Sequence, residues 1–202
     1  MKKFITLALA LCMALSASVC ASAAEIDTDG GFGSTPVYLS STEDGTMEGD
    51  PSATAMSVTV PTALPMAMSQ TGDVTTADNC QIINNSYGAV RVKSVTISAE
   101  NGWSLTAFGD KSTLASEKVD SDQLGFAICI GDGEWAVTDN SNESAQALIS
   151  APIDGCYMSG AGNAANNTVS VDYAAIVTPL STPVTNANIA NVVFVVEWDI
   201  AA

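Results

Sequence analysis

The chain has 202 residues, 47% of them hydrophobic and 14% charged, and it contains no histidine. Its 22 acidic residues against six bases give a formal net charge of −16, a balance that repels nucleic acid and anionic lipid and argues against both as partners. Without histidine there is no Ser-His-Asp, Cys-His or H-E-x-x-H chemistry, and the commonest metal ligand is gone as well.

Met1-Lys2-Lys3, the apolar run Phe4 to Leu15 and the small residues closing at Ala21-Ser22-Ala23 follow the order of a secretory signal peptide, residues 1–23. The run is shorter than the roughly 20 residues of a spanning helix. Cys20 lacks both the small residue before it and the leucine three places earlier that lipidation uses, so cleavage after Ala23 is expected. The product is then secreted, with no membrane insertion after cleavage. Losing Lys2 and Lys3 leaves four bases (Arg91, Lys93, Lys111, Lys118) against 22 acids, a net of −18. The final residues, Asp199 to Ala202, carry no sortase-type tail, so any hold on a cell surface is expected to be non-covalent. Cys80, Cys129 and Cys156 remain, an odd number without C-x-x-C spacing, which reads as buried thiols rather than a disulfide framework.

Residues 24–54 read as a flexible acidic extension. Ile26 to Ser34 and Thr42 to Pro51 are rich in acids and turn formers and carry too little apolar surface to order themselves. Between them Pro36 to Ser40 is a strand candidate, and Val37, Tyr38 and Leu39 are the residues it could lend to its own sheet or a neighbour's. Residues 55–202 read as one domain. Met56, Val58 and Val60 alternate with polar residues, a strand period. Pro61 and Pro65 bracket Leu64 in an edge or crossing segment, and Gln70 to Asp73 is a turn. Cys80 to Asn84 is a strand closed by Asn85 to Gly88. In Ala89 to Ser98, Val90 and Val92 share one parity and Val95 and Ile97 the other. That phase slip near Lys93-Ser94 calls for a bulge or a change of sheet.

Asn101-Gly102 marks a turn into Trp103 to Phe108. Leu124 to Ile130 and Glu134 to Val137 flank Gly131-Asp132-Gly133 as a hairpin. Ala145 to Ile149 suggests a single helical turn, and Gly160 to Asn167 a loop. Thr168 to Val177 and Asn191 to Ile200 close the chain as strands, the last apolar on both faces and hence central and doubly covered. About ten short strands without a long amphipathic helix predict an all-β fold, an antiparallel β-sandwich of jelly-roll or immunoglobulin-like type.

Little chemistry is on offer. No serine stands three residues before Lys93, Lys111 or Lys118, and most acids sit in Asp-Gly and Asp-Asn turns, so no catalytic residue is assigned and no enzyme activity is expected. Calcium is the one cofactor the residues suggest, with Asp132, Glu134 and Asp139 as oxygen ligands, although no loop follows the EF-hand pattern. Lys93, beside the slip, would be the lysine of a Lys–Asn cross-link were it buried.

Gly102-Trp103-Ser104-Leu105 and Glu197-Trp198-Asp199-Ile200, the second with isoleucine in the third place, resemble the paired motifs of the WxL-domain surface proteins of Gram-positive bacteria. The resemblance covers Met56 to Ile200 and includes Val58-Thr59-Val60-Pro61. It implies a β-sandwich held non-covalently on the cell wall, with Trp103, Leu105, Trp198 and Ile200 toward a wall polymer or other surface proteins. Trp135, beside the Gly131–Gly133 turn, is a further contact candidate. The Asn84-Asn85-Ser86 step, the valine-rich strand after it and the terminal strand ending near tryptophan are similar to the secreted camelysin-like and biofilm-matrix fibre sandwiches. That likeness implies self-association by exchange of an N-terminal strand.

Overall fold

The computed structural model describes residues 24–36, 55–141 and 143–200. Its strands are β1 (Ala24–Ile26), β2 (Phe32–Pro36), β3 (Val58–Val60), β4 (Met66–Met68), β5 (Val74–Thr76), β6 (Gln81–Asn84) and β7 (Val90–Ala99). They continue as β8 (Ser104–Thr106), β9 (Gln123–Ile130), β10 (Ala136–Val137), β11 (Ala145–Ile149), β12 (Tyr157–Met158), β13 (Thr168–Val177) and β14 (Ala190–Trp198). A 3-10 turn at Lys111–Thr113 is the only helical element among the described residues. The fold is all-β and sandwich-like. One sheet runs β1-β3-β6-β13-β9-β10, with β8 in line with β10 on the same edge of β9; the other runs β11-β7-β14-β2, with β12 in line with β11 along β7; β4 and β5 pair as a separate hairpin. Pairing is antiparallel except between β8 and β9.

Alternation builds the core. Val58, Val60, Ile82, Leu124, Phe126, Ile128, Ile130, Val171 and Tyr173 point from the first sheet into one cluster with Val90, Val92, Val95, Ile97, Val192, Phe194 and Val196 of the second. Each such side chain contributes about 1.5–3 kcal/mol by leaving water. The phase slip in β7 is a bulge: Val195 lies opposite Ser94 and Val196 opposite Val92, so the register skips Lys93. The extra residue restores the parity, and Val90, Val92, Val95 and Ile97 all face inward while β7 stays in one sheet.

Four expectations are corrected. Ala145 to Ile149 is the strand β11 rather than a helical turn, because its backbone pairs with β7 and the buried Gln146 side chain bonds both the N–H and the carbonyl of Asp139. Strands outnumber the ten expected, chiefly because two-residue and three-residue pieces such as β4, β5 and β12 pair where pattern alone gives little signal. The doubly covered strand is β9: its outward residues Gly125, Ala127 and Cys129 are buried too, with Ile176 and the Ala107 carbonyl closing over Gly125. In β14 only one face is buried, and Val193 and Val195 are half-exposed. Finally, Ile26 to Ser34 does order, in β1 and β2, because it borrows hydrogen bonds and apolar cover from both sheets instead of making its own core.

Candidate functional site

Residues 24–36 form a ribbon that supplies the end strand of both sheets on one side of the sandwich. β1 pairs with β3, setting Ala24 opposite Val60 and Ile26 opposite Val58. After a turn closed by Gly31 N–H to the Thr28 carbonyl (2.9 Å), β2 pairs with β14, from Phe32 opposite Val195 to Pro36 opposite Asn191. Ile26 is 2% exposed and is the ribbon's anchor. Gly31 and Gly33 leave room for it. A Cβ on Gly31 would lie 2.6 Å from Ile26 Cγ2, and one on Gly33 2.9 Å from Val60 Cγ2 and 3.6 Å from Ile26 Cδ1. Three polar contacts set the register: Val196 N–H to the Gly31 carbonyl (3.0 Å), Trp198 N–H to Asp29 Oδ1 (2.6 Å) and Ser57 Oγ to Glu25. Phe32, on the outer face, is 72% exposed. Val37, Tyr38 and Leu39 lie outside the described residues, and the strand described in this region is the adjacent β2.

The end of the sandwich beside Trp198 carries an open depression of about 340 Å³, lined by Ala89, Tyr157, Met158, Ser159, Asn166 and Asp199. Trp198 lies against Gly88, where a Cβ would come within 2.9 Å of the indole. The strand continues past it, with Asp199 N–H donating to the Ala89 carbonyl (3.0 Å). The rim is charged: Arg91 meets Glu197 at 2.8 Å and Asp199 at 3.4 Å, and Lys93 meets Glu197 at 2.9 Å. Lys93 and, after it, Arg91 hold the Glu197 carboxyl below its ordinary value. Buried Asn84 fixes the neighbouring loop, donating to the carbonyls of Gly88 (2.8 Å) and Ser159 (2.9 Å) and accepting from Ser86 N–H (2.9 Å). Tyr87 stands on that loop 90% exposed. A ring face, an amide, a hydroxyl and a carboxylate are groups of recognition.

The two tryptophan motifs do not meet. Trp198 pairs with Val90 at one end of β7, whereas Trp103 follows the other end through a turn closed by its N–H to the Glu100 carbonyl (3.0 Å). A ten-residue strand separates them, on the order of 30 Å. Both indoles are half-buried against the core, and Leu105 is 3% exposed within it. Ile200 and Trp135 are exposed. Asp132, Glu134 and Asp139 are also exposed, and hydrogen bonds from Ser141 hold the Asp139 carboxyl below the usual range. Among the described residues no three His, Cys, Asp or Glu side chains are grouped to hold a metal ion. Cys80, Cys129 and Cys156 are unlinked, and burial pushes each thiol's pKa up. Lys93 is half-exposed and ion-paired, not the buried lysine a cross-link requires.

Sequence reading missed the ribbon because Gly31 and Gly33 look like flexible-loop residues when Ile26, the side chain they accommodate, is not known to fold over them. It missed Tyr157, Ser159 and Asn166 because β12 is two residues long. Among the described residues no helix is long and apolar enough to cross a membrane. Comparison with family models, curated proteins and solved structures finds no match to this chain, so the two likenesses rest on their short motifs alone.

Proposed function

We propose that this chain is a secreted, non-catalytic structural protein of the bacterial cell surface whose copies join by exchanging the N-terminal ribbon. The observation that carries this reading is that one short segment provides the terminal strand of both sheets on the same side. The sequence 37–57 separates it from β3, and a chain of that length can span up to roughly 70 Å. Every ribbon hydrogen bond made within one copy is therefore available between two, and the exchange creates no new interface chemistry. A net charge of −18 keeps free copies soluble and opposes non-specific clustering. Size-exclusion with light scattering on residues 24–202 should show concentration-dependent oligomers. Both deletion of 24–54 and the milder Ile26→Asp should abolish them; oligomers of unchanged size in the two variants would refute the reading.

A second reading, retention on the cell wall, is favoured by the depression beside Trp198, where Tyr157 offers a stacking face and Asn166, Ser159 and Asp199 offer hydrogen bonds to hydroxyl-rich polymer. Purified wall should then pull the protein down, and Tyr157→Ala with Asn166→Ala should release it. Full recovery of the unmodified protein in the supernatant at physiological salt would exclude this reading.

A further inference from the structure

We infer that the exchanged unit is the whole ribbon, residues 24–36, which completes both sheets of a second copy at once and is admitted only because position 33 has no side chain. The inference rests on the exchange reading above. A single donated strand would be β2 alone, but β2 is not self-sufficient. Its inward position at Gly33 fills no space, and the volume there is taken by Ile26, which comes from β1 and sits over Gly31 and Gly33. Ile26 is the ribbon's buried apolar anchor, 2% exposed, whereas Phe32 points outward at 72%. Removing β1 from the donated unit would leave the slot over Val60 open and the edge of β3 unpaired. The two strands therefore travel together.

The slot is selective by shape. Val60 is fully buried and β-branched, so its rotamer is restricted and it cannot turn away from a new methyl 2.9 Å off. Gly33 also lies directly opposite fully buried Phe194 in the β2–β14 register. A one-residue slip would drive Phe32 into this space. A two-residue slip would bring Gly31 there, but it would forfeit the Asp29 contact to Trp198 N–H and the Gly31 carbonyl contact to Val196 N–H. An inward isoleucine, a carboxylate three residues later and a glycine four residues after that form the recognition pattern, and the partner that carries it is another copy of this chain.

The test uses the intact mature chain, residues 24–202, and fluorescently labelled peptides in excess, read by anisotropy after prolonged incubation. The peptide 24–36 should be incorporated. The half-ribbon 29–36 and the 24–36 peptide carrying Gly33→Val should bind at least tenfold more weakly. If the half-ribbon is taken up as well as the whole, the two-strand unit is wrong while exchange itself stands. Equal uptake of the Gly33→Val peptide would overturn the selectivity of the slot. No uptake of the unmodified 24–36 peptide would remove the exchange reading and this inference with it.

Discussion

At the β10–β11 side of the sandwich the chain passes from one sheet to the other, and buried polar side chains at Thr138 and Gln146 bind the passage from within. Thr138 Oγ1 donates to the Thr106 carbonyl (2.6 Å) and accepts from Phe126 N–H (2.9 Å), and Gln146, 7% exposed, bonds both backbone groups of Asp139. At the opposite side the ribbon makes the same kind of crossing through the turn 27–31, but its side-chain contacts to Glu25 and Asp29 are exposed and its apolar anchor is Ile26. Buried polar stitching is costly to open, because each freed group loses its partner without gaining water. An exposed carboxylate contact exchanges readily with solvent. This contrast supports the exchange reading, in which one seam stays shut while the other opens as a unit.

The largest effect that separates the seams is expected from Ile26→Ala, a loss of about 2–4 kcal/mol. It should appear as faster amide exchange confined to β1, β2 and the strands they cover, with β9 and β13 unchanged; an equal acceleration throughout would mean the ribbon is part of the global unit. Gln146→Ala removes the buried side chain that accepts from the Asp139 N–H and donates to its carbonyl, and should cost about 1–3 kcal/mol, read in urea unfolding as a loss of global stability. Protection lost only around β10 and β11 would erase the contrast between the seams.

Tyr173 gives a control inside the body. Its hydroxyl donates to the Pro65 carbonyl (2.6 Å) and accepts from Ala77 N–H (3.1 Å), tying the two ends of the β4–β5 hairpin, and burial pushes its pKa up to about 12. Tyr173→Phe should cost about 1–2 kcal/mol globally and leave ribbon exchange untouched.

Acidification should have the smallest effect. Glu197 titrates below its ordinary value of 4.5 in the folded chain, so its contribution is complete above 4.5 and is lost as pH falls through the lower folded value. Thermal melts over that window should show a modest decline that is smaller in Glu197→Gln, the rest coming from carboxylates such as Asp139 that are also held low; a rise in stability on acidification would contradict the sign.

Much of the fold was legible because its rules are local. The β7 bulge follows from Val90 and Val92 changing parity against Val95 and Ile97, and the β9–β10 hairpin follows from Gly131-Asp132-Gly133. The ribbon was not legible, since its order depends on partners more than 20 residues away in β3 and more than 150 away in β14. Of the candidate site, the tryptophan motifs were readable as motifs, but strand length alone places them at opposite ends. The depression beside Trp198 gathers side chains from four separate stretches, a convergence that spacing does not encode.

Phe32 and Val195 face each other across the β2–β14 pair on the outer surface, so the double variant Phe32→Cys, Val195→Cys reports which chain's ribbon fills the seam. Oxidised at high protein concentration and run without reductant, it should give a ladder of covalent multimers that collapses to monomer on reduction. Quantitative cross-linking within single chains, with no ladder at any concentration, would contradict exchange of the ribbon between copies.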